Sequence, residues 1–229
     1  MTYHISDFKV VIANENHHQY ASEICRTMEE SAKQRGTGIA KRTEEYVRLK
    51  MDEGKAIIAL HVETQIFGGF CYIETWEHGK YVANSGLIVN PEFRGAGLAK
   101  EIKKKAFELS RKKFPEAKLF GLTTSLAVMK INSELGYKPV TFSELSADEA
   151  FWKGCQSCVN YDILSRTGRK HCLCTGMLYD PHEPKKPKAR KKRKYHSWKA
   201  YERWLRFKRY VLLKFGIVTP VPEREKVFV

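Results

Sequence analysis

The chain has 229 residues, 42% hydrophobic and 12% aromatic, enough apolar material for one large domain or one domain with an appendage. Its formal charge of +15 suggests a nucleic-acid partner until it is divided: residues 185–229 hold 16 Lys and Arg against three Glu, leaving 25 basic and 23 acidic residues before them. No apolar run is long enough to cross a membrane, and the N-terminal MTYHISDFKVV lacks the basic flank and apolar stretch of a signal peptide, so the expectation is a cytoplasmic protein without a membrane partner.

Phe8 to Ala13 reads as a strand, and Asn16 to Lys33 as a helix with Tyr20, Ile24, Met28 and Ala32 on one face and Asn14 or Asn16 as its cap. Gly36 and Gly38 break that helix within QRGTGIAKR, a stretch that also carries the cations Arg35, Lys41 and Arg42. Thr43 suits the cap of a second helix to Asp52, with Glu44 and Glu45 in its first turn, and Gly54 stops it. Three strands of a meander follow, Ala56 to Val62, Gly68 to Trp76 and Tyr81 to Asn90, rich in Ile, Val, Phe and Tyr.

The third strand runs through Leu87, Ile88 and Val89 into Pro91, which ends regular pairing because it lacks an N–H. A turn of Arg94, Gly95, Ala96 and Gly97 then enters a helix that begins Leu98, Ala99, continues through Ile102, Ala106 and Phe107, and ends near Lys112. Small residues let a backbone approach a ligand closely, and unpaired N–H groups at a helix start favour phosphate. The stretch therefore reads as an anion cradle. Lys118 to Thr124 returns as a strand, Ser125 to Leu135 as a short helix stopped by Gly136, and Tyr137 to Phe142 as a last strand.

Past Phe142 come Cys155 and Cys158, thirteen intervening residues, then Cys172 and Cys174. Four thiols at these spacings are compatible with tetrahedral zinc, with His171 and His182 as spare ligands; the alternative is buried free thiols, since structural disulfides are not expected in cytoplasm. Cys25 and Cys71 read as core. In PKKPKARKKRK, eight like charges and two prolines prevent folding, whereas Ser197 to Phe215 reads as a helix with Trp204, Phe207, Val211 and Phe215 down one side. That helix could dock on the preceding domain, pair with a second subunit to form a homo-oligomer, or lie on RNA; packing favours docking. The expected organisation is residues 1–145 as a catalytic domain, 146–183 as a Cys-rich extension, and 184–229 as a basic linker with an aromatic helix.

The run from Val89 to Ala99, Val-x-Pro-x-x-Arg-Gly-x-Gly-Leu-Ala, resembles motif A of the GNAT superfamily of N-acetyltransferases. The resemblance implies an α/β fold, a mixed sheet splayed where acyl-CoA enters and flanked by helices. It also implies that the backbone of Leu87, Ile88 and Val89 holds pantetheine while Arg94, Gly95, Ala96, Gly97, Leu98 and Ala99 hold the pyrophosphate. Aligning Leu135-Gly136-Tyr137 with the superfamily's Leu-Gly-Phe puts Asn132, on the cofactor side, where a Tyr acid usually stands, and Ser125, on the substrate side, where an Asn often stands. The usual acid is missing.

For the base, Glu74 interrupts an apolar strand next to the one entering motif A, and His78 is second, with a reference pKa of about 6.5. Glu74 simply solvated at a strand end and His78 in a turn is the alternative. Arg35, Lys41 and Arg42 lie where the superfamily builds its acceptor pocket, and cations there suit a carboxylate substrate, although an exposed basic loop has the same sequence. Over the whole chain, the blocks GTGIAKR, FCYIETW, AVMKINSELGYKPVTFSEL, FWKGCQSCVNYDIL and CLCTGMLYDP resemble a bacterial subgroup linked to arginine biosynthesis. That resemblance implies acylation of the glutamate α-amine from acetyl-CoA or succinyl-CoA. The rival readings are an acetyltransferase for a macromolecular amine, on a ribosomal protein or tRNA docked through the basic tail, and a non-catalytic RNA-binding module.

Overall fold

The computed structural model describes residues 3–35 and 41–183 and, beyond them, residues 206, 207 and 210. By contacts the chain divides into Met1–Glu183 and Pro184–Val229. Strands β1 (Phe8–Ile12), β2 (Ala56–His61), β3 (Phe67–Trp76) and β4 (Tyr81–Val89) pair antiparallel in that order. β5 (Lys118–Thr123) joins β4 in parallel; β6 (Lys138–Val140) lies at the far edge, and β7 (Thr175–Tyr179) is inserted between β5 and β6. The helices are α1 (Ala21–Arg35), α2 (Glu44–Asp52), α3 (Leu98–Lys113), α4 (Leu126–Glu134), α5 (Glu149–Lys153) and α6 (Tyr161–Arg166).

Alternation along the central strands decides which helix covers which face. Ile57, Cys71, Ile73 and Val82 pack with Leu98, Ile102 and Ala106 of α3, while their neighbours Ile58, Phe70 and Tyr72 pack with Ile24, Met28, Val47 and Met51 of α1 and α2. Both faces of β3 are thus covered, which is why its first seven residues are all buried and read as one apolar run. Each large side chain buried this way contributes about 1.5–3 kcal/mol.

Two irregularities open the sheet. β4 and β5 pair only over Tyr81–Ala83 against Lys118–Phe120, so β4 beyond Asn84 and β5 beyond Gly121 diverge. Between β3 and β4 the register shifts, Phe70 facing Ile88 but Tyr72 facing Ser85, which leaves Gly86 and Leu87 as a bulge. Gly86 has φ +65°, and a Cβ there would stand 2.4 Å from the Tyr72 ring, so only glycine lets the bulge form against that ring.

Several sequence expectations change. Glu15–Tyr20 is a 3-10 turn capped by Asn14, and the α-helix begins at Ala21; its buried face includes Thr27 and Ser31 beside Ile24 and Met28, Tyr20 packs against the same cluster from the turn, and Ala32 is half-buried. The Cys-rich segment is not an appendage to a domain ending at 145. β6 has three residues and pairs with β7, and β7 pairs with β5 over five, so the stretch to Tyr179 completes the sheet. Glu77 anchors this segment by accepting from Ser146 Oγ at 2.8 Å and Ala147 N at 2.7 Å. Residues 36–40, the basic run 184–194 and most of the expected Ser197 to Phe215 helix lie outside the described residues; Arg206, Phe207 and Tyr210 are helical and exposed. No helix among the described residues is long and apolar enough to cross a membrane.

Candidate active site

A cavity of about 560 Å³ fills the wedge where β4 and β5 part and continues past Lys41, Arg42 and Thr43 to the Cys-rich segment. Three buried side-chain atoms among the described residues lack a hydrogen-bond partner, Trp76 Nε1, Asn132 Oδ1 and Asn160 Nδ2, and all three residues line this cavity. Buried polar atoms are normally paired, so three unpaired ones in residues of one cavity single it out as the candidate site.

The entrance is the turn after β4. Gly95 (φ +94°) and Gly97 (φ +86°) hold left-handed backbone, and a Cβ on either would meet nothing within 4 Å, so they serve the chain reversal and an open face, not tight packing. The amides of Gly95, Gly97, Leu98 and Ala99 have no backbone acceptor among the described residues, and α3, sixteen residues long, adds the positive end of its dipole. Leu98 is buried and fixes the helix to the sheet, Ala96 and Ala99 are half-buried, and Arg94 donates to Ser31 Oγ at 3.2 Å, tying the turn to α1. Along β4, Ile88 is buried, whereas Leu87 and Val89 are half-buried on the stretch that has lost β5.

The inner end is built on one face of β3, where Tyr72, Glu74 and Trp76 recur at every second residue. Glu74 accepts a hydrogen bond from Tyr46 of α2 and stands 4.0 Å from Arg42 Nη2. Arg42 donates from Nε to the Tyr72 hydroxyl at 2.8 Å and from Nη1 to the Lys41 carbonyl at 3.1 Å. Burial works against the Arg42 charge, but Tyr72 and Glu74 outweigh it and hold its pKa above the usual value. Burial and the Glu74 charge push both tyrosine hydroxyls far up, so both remain proton donors. Two of the Arg42 donors are thus committed to the protein, and the Nη2 side is what faces the cavity's carboxylate.

The sequence profile of the Acetyltransferase (GNAT) family matches residues 28–128, which contain the cradle, the bulged strand and Glu74. Over residues 28–128 the chain is similar to a GNAT acetyltransferase domain. No curated protein matches the sequence. Among solved structures the domain is similar to N-acetylglutamate synthase from Neisseria gonorrhoeae, solved with coenzyme A and N-acetyl-glutamate: 15% identity, TM-score 0.53, covering 76% of this chain and 35% of the synthase. The chain therefore spans about a third of that enzyme's length. It is also similar to Rv2747 from Mycobacterium tuberculosis, solved with CoA (14%, TM-score 0.54, 75% of this chain and 98% of that one). A phosphinothricin acetyltransferase from Sinorhizobium meliloti, solved with AcCoA, gives 14%, TM-score 0.51, and 76% and 88%. These likenesses establish the fold.

Glu74, Lys41, Arg42 and Asn132 meet at one cavity. His78 does not: it stands exposed on the turn between β3 and β4, outside the cavity, because the hairpin carries it past the end of the sheet. Ser125 is not part of the lining either; its hydroxyl caps α4, accepting from Val128 N at 3.4 Å. Arg35 ends α1, and its side chain lies outside the described residues. Cys155, Cys158, Cys172 and Cys174 all reach the wall, and burial pushes Cys155 up to about 11 and Cys174 up to about 12. Among the described residues, however, no group of three or more His, Cys, Asp or Glu stands where it could hold a metal, so the spacing that suggests zinc brings the thiols together without forming its cage.

Sequence reading missed Tyr46, Trp76 and Lys103. Lys103 had a signal: it lies four residues before Phe107 and three before Ala106, on the apolar stripe and not on the solvated face.

Proposed function

We propose that the chain transfers an acyl group from acetyl-CoA or succinyl-CoA to the α-amine of a small acidic amino acid, glutamate, the step that opens arginine biosynthesis. The observation that carries the acidic acceptor is the inner wall: the Arg42 Nη2 edge and a buried Trp76 N–H with no partner, in one cavity with Glu74. Donors and a cation without enough acceptors suit a second carboxylate beside the amine. The synthase bound to N-acetyl-glutamate supports the same reading by fold, and the block-by-block resemblance of the sequence supports it by pattern.

In this reading the pyrophosphate lies on the amides of Gly95 to Ala99, and pantetheine runs back along the open edge of β4 towards Asn84. Glu74, oriented by Tyr46, takes the proton the amine sheds as it attacks. The test is to mix the purified protein with glutamate and either donor, following thiol release and the product mass. Acylated glutamate is expected, and the faster donor names the acyl group; thiol release absent with both donors, while CoA still binds, overturns the reading. Trp76→Phe removes the N–H together with one ring of the indole and should raise KM for glutamate about tenfold at near-constant kcat.

A further inference from the structure

Lys103 carries an ammonium into the apolar layer between α3 and the sheet. It is 2% exposed, and its neighbours are the Cys71 thiol from β3 and the Tyr137 ring, 5.4 Å from Nζ. No carboxylate pairs with it among the described residues, and burial pushes its pKa down to about 8, with only Cys71 acting in the other direction. The polar groups around it are satisfied without it: Tyr137 donates to Asn84 Oδ1 at 2.9 Å, Asn84 Nδ2 to Ser110 Oγ at 3.0 Å, and Ser110 to the Ala106 carbonyl at 2.7 Å. A cation kept in such a place without a partner answers to something that arrives.

Its position says what. A Cβ placed on Gly121 would stand 3.9 Å from Lys103 Nζ and 3.6 Å from the Asn84 carbonyl oxygen, so the ammonium sits at the vertex where β4 and β5 part, and the residue lines the cavity. Two lines lead there from the cradle: α3 itself, along which Lys103 lies about 9 Å beyond Gly97, and the unpaired edge of β4, from Val89 back to Asn84. A pantetheine arm laid along that edge ends at the vertex. The group that becomes anionic at the end of the arm is its sulfur.

We infer that Lys103 is a catalytic residue of the transfer, the cation that stabilises the CoA sulfur as it leaves as a thiolate. This rests on the reading of the cavity as an acyl-CoA site, though not on the identity of the acceptor. The amine nitrogen attacks the thioester carbon and forms the C–N bond; the C–S electron pair passes to sulfur, which leaves as a thiolate paired with the Lys103 ammonium. The proton shed by the amine goes to Glu74, and the thiolate takes its proton from solvent through the open cavity. Asn132, where a phenol would otherwise serve, is too weak an acid to protonate the sulfur.

The test compares the full chain with Lys103→Met and Lys103→Arg. Free CoA is bound to each, and the thiol is titrated by the ultraviolet absorbance of its thiolate. Bound to the native chain, the thiol should ionise at least one pH unit below the about 8.5 of an ordinary thiol, an effect absent from Lys103→Met and kept in Lys103→Arg. Turnover in Lys103→Met should fall about 100-fold with CoA affinity within about threefold. The descending limb of the native pH-rate profile, near pH 8, should move upward in Lys103→Arg. Among the other titratable neighbours, Cys71 and Tyr137 are held far higher by burial and do not supply that limb. Identical thiol titrations in the native chain and Lys103→Met, or an unmoved limb in Lys103→Arg, overturn the assignment. The titration needs no acceptor, so a native chain that lowers the thiol yet ignores glutamate would remove the proposed substrate and leave Lys103 its role.

Discussion

Lys103 and Glu74 bring opposite charges into the same cavity under different terms. Glu74 is surrounded by partners, the Tyr46 hydroxyl and Arg42, whereas Lys103 has none of opposite charge. The folded chain therefore holds Lys103 at a cost. That cost is full below pH about 8, where the lysine is charged in both folded and unfolded chains, and fades between about 8 and 10.5 as the folded form loses its proton first, so this group makes stability rise with pH across that window. Lys103→Met should accordingly raise Tm at pH 7 by about 5 °C, a gain that shrinks as the pH approaches 10; calorimetry of the two chains at both pH values checks it. Glu74→Gln keeps a contact with Tyr46 but cannot take the amine's proton. Its kcat should drop about 100-fold with little change in KM for glutamate, measured by thiol release.

The element that shapes the cavity is β4. Its first three residues are locked to β5, its bulge at Gly86 turns the strand under α1, and its last residues lead into the cradle. Substituting Gly86→Ala would place a methyl group against the Tyr72 ring in a backbone conformation that side chains disfavour, costing about 1–3 kcal/mol. Because Tyr72 also receives the Arg42 N–H, the disturbance should reach the acceptor end. Thermal denaturation should show the loss, and CoA titration a Kd raised about tenfold, whereas a bulge without a part in binding would leave the Kd unchanged. The Cys-rich segment acts at the same scale: α5, α6 and the four thiols close the inner end, and β7 joins them to the sheet.

At the scale of the whole molecule, the basicity is concentrated in one stretch of the sequence. Among the described residues, those that line the cavity belong to Met1–Glu183, while 16 of the Lys and Arg fall in residues 185–229. A chain ending at Glu183 should fold, bind CoA with a matching rise in Tm, and acylate glutamate within about twofold of the full-length rate. Turnover lost at unchanged CoA affinity would favour a macromolecular acceptor held through the tail. The strand, turn and helix from Leu87 to Ala99 were legible in the sequence, as were the meander and the cap at Thr43, because each is set by residues within a few positions of one another: a proline that ends pairing, glycines that reverse the chain, a hydroxyl three residues before the amide it meets. The inner wall of the cavity was half legible. Glu74 stood out as a charge in an apolar strand, but Tyr46 and Trp76 join it only once α2 and β3 are packed, and His78 and Ser125 leave it for reasons of local geometry. The insertion of β7 beside β5, more than fifty residues away in the chain, and the burial of Lys103 among apolar neighbours depend on contacts between distant segments. Periodicity within one segment reports what is local; which buried charge faces which cavity is decided by tertiary packing.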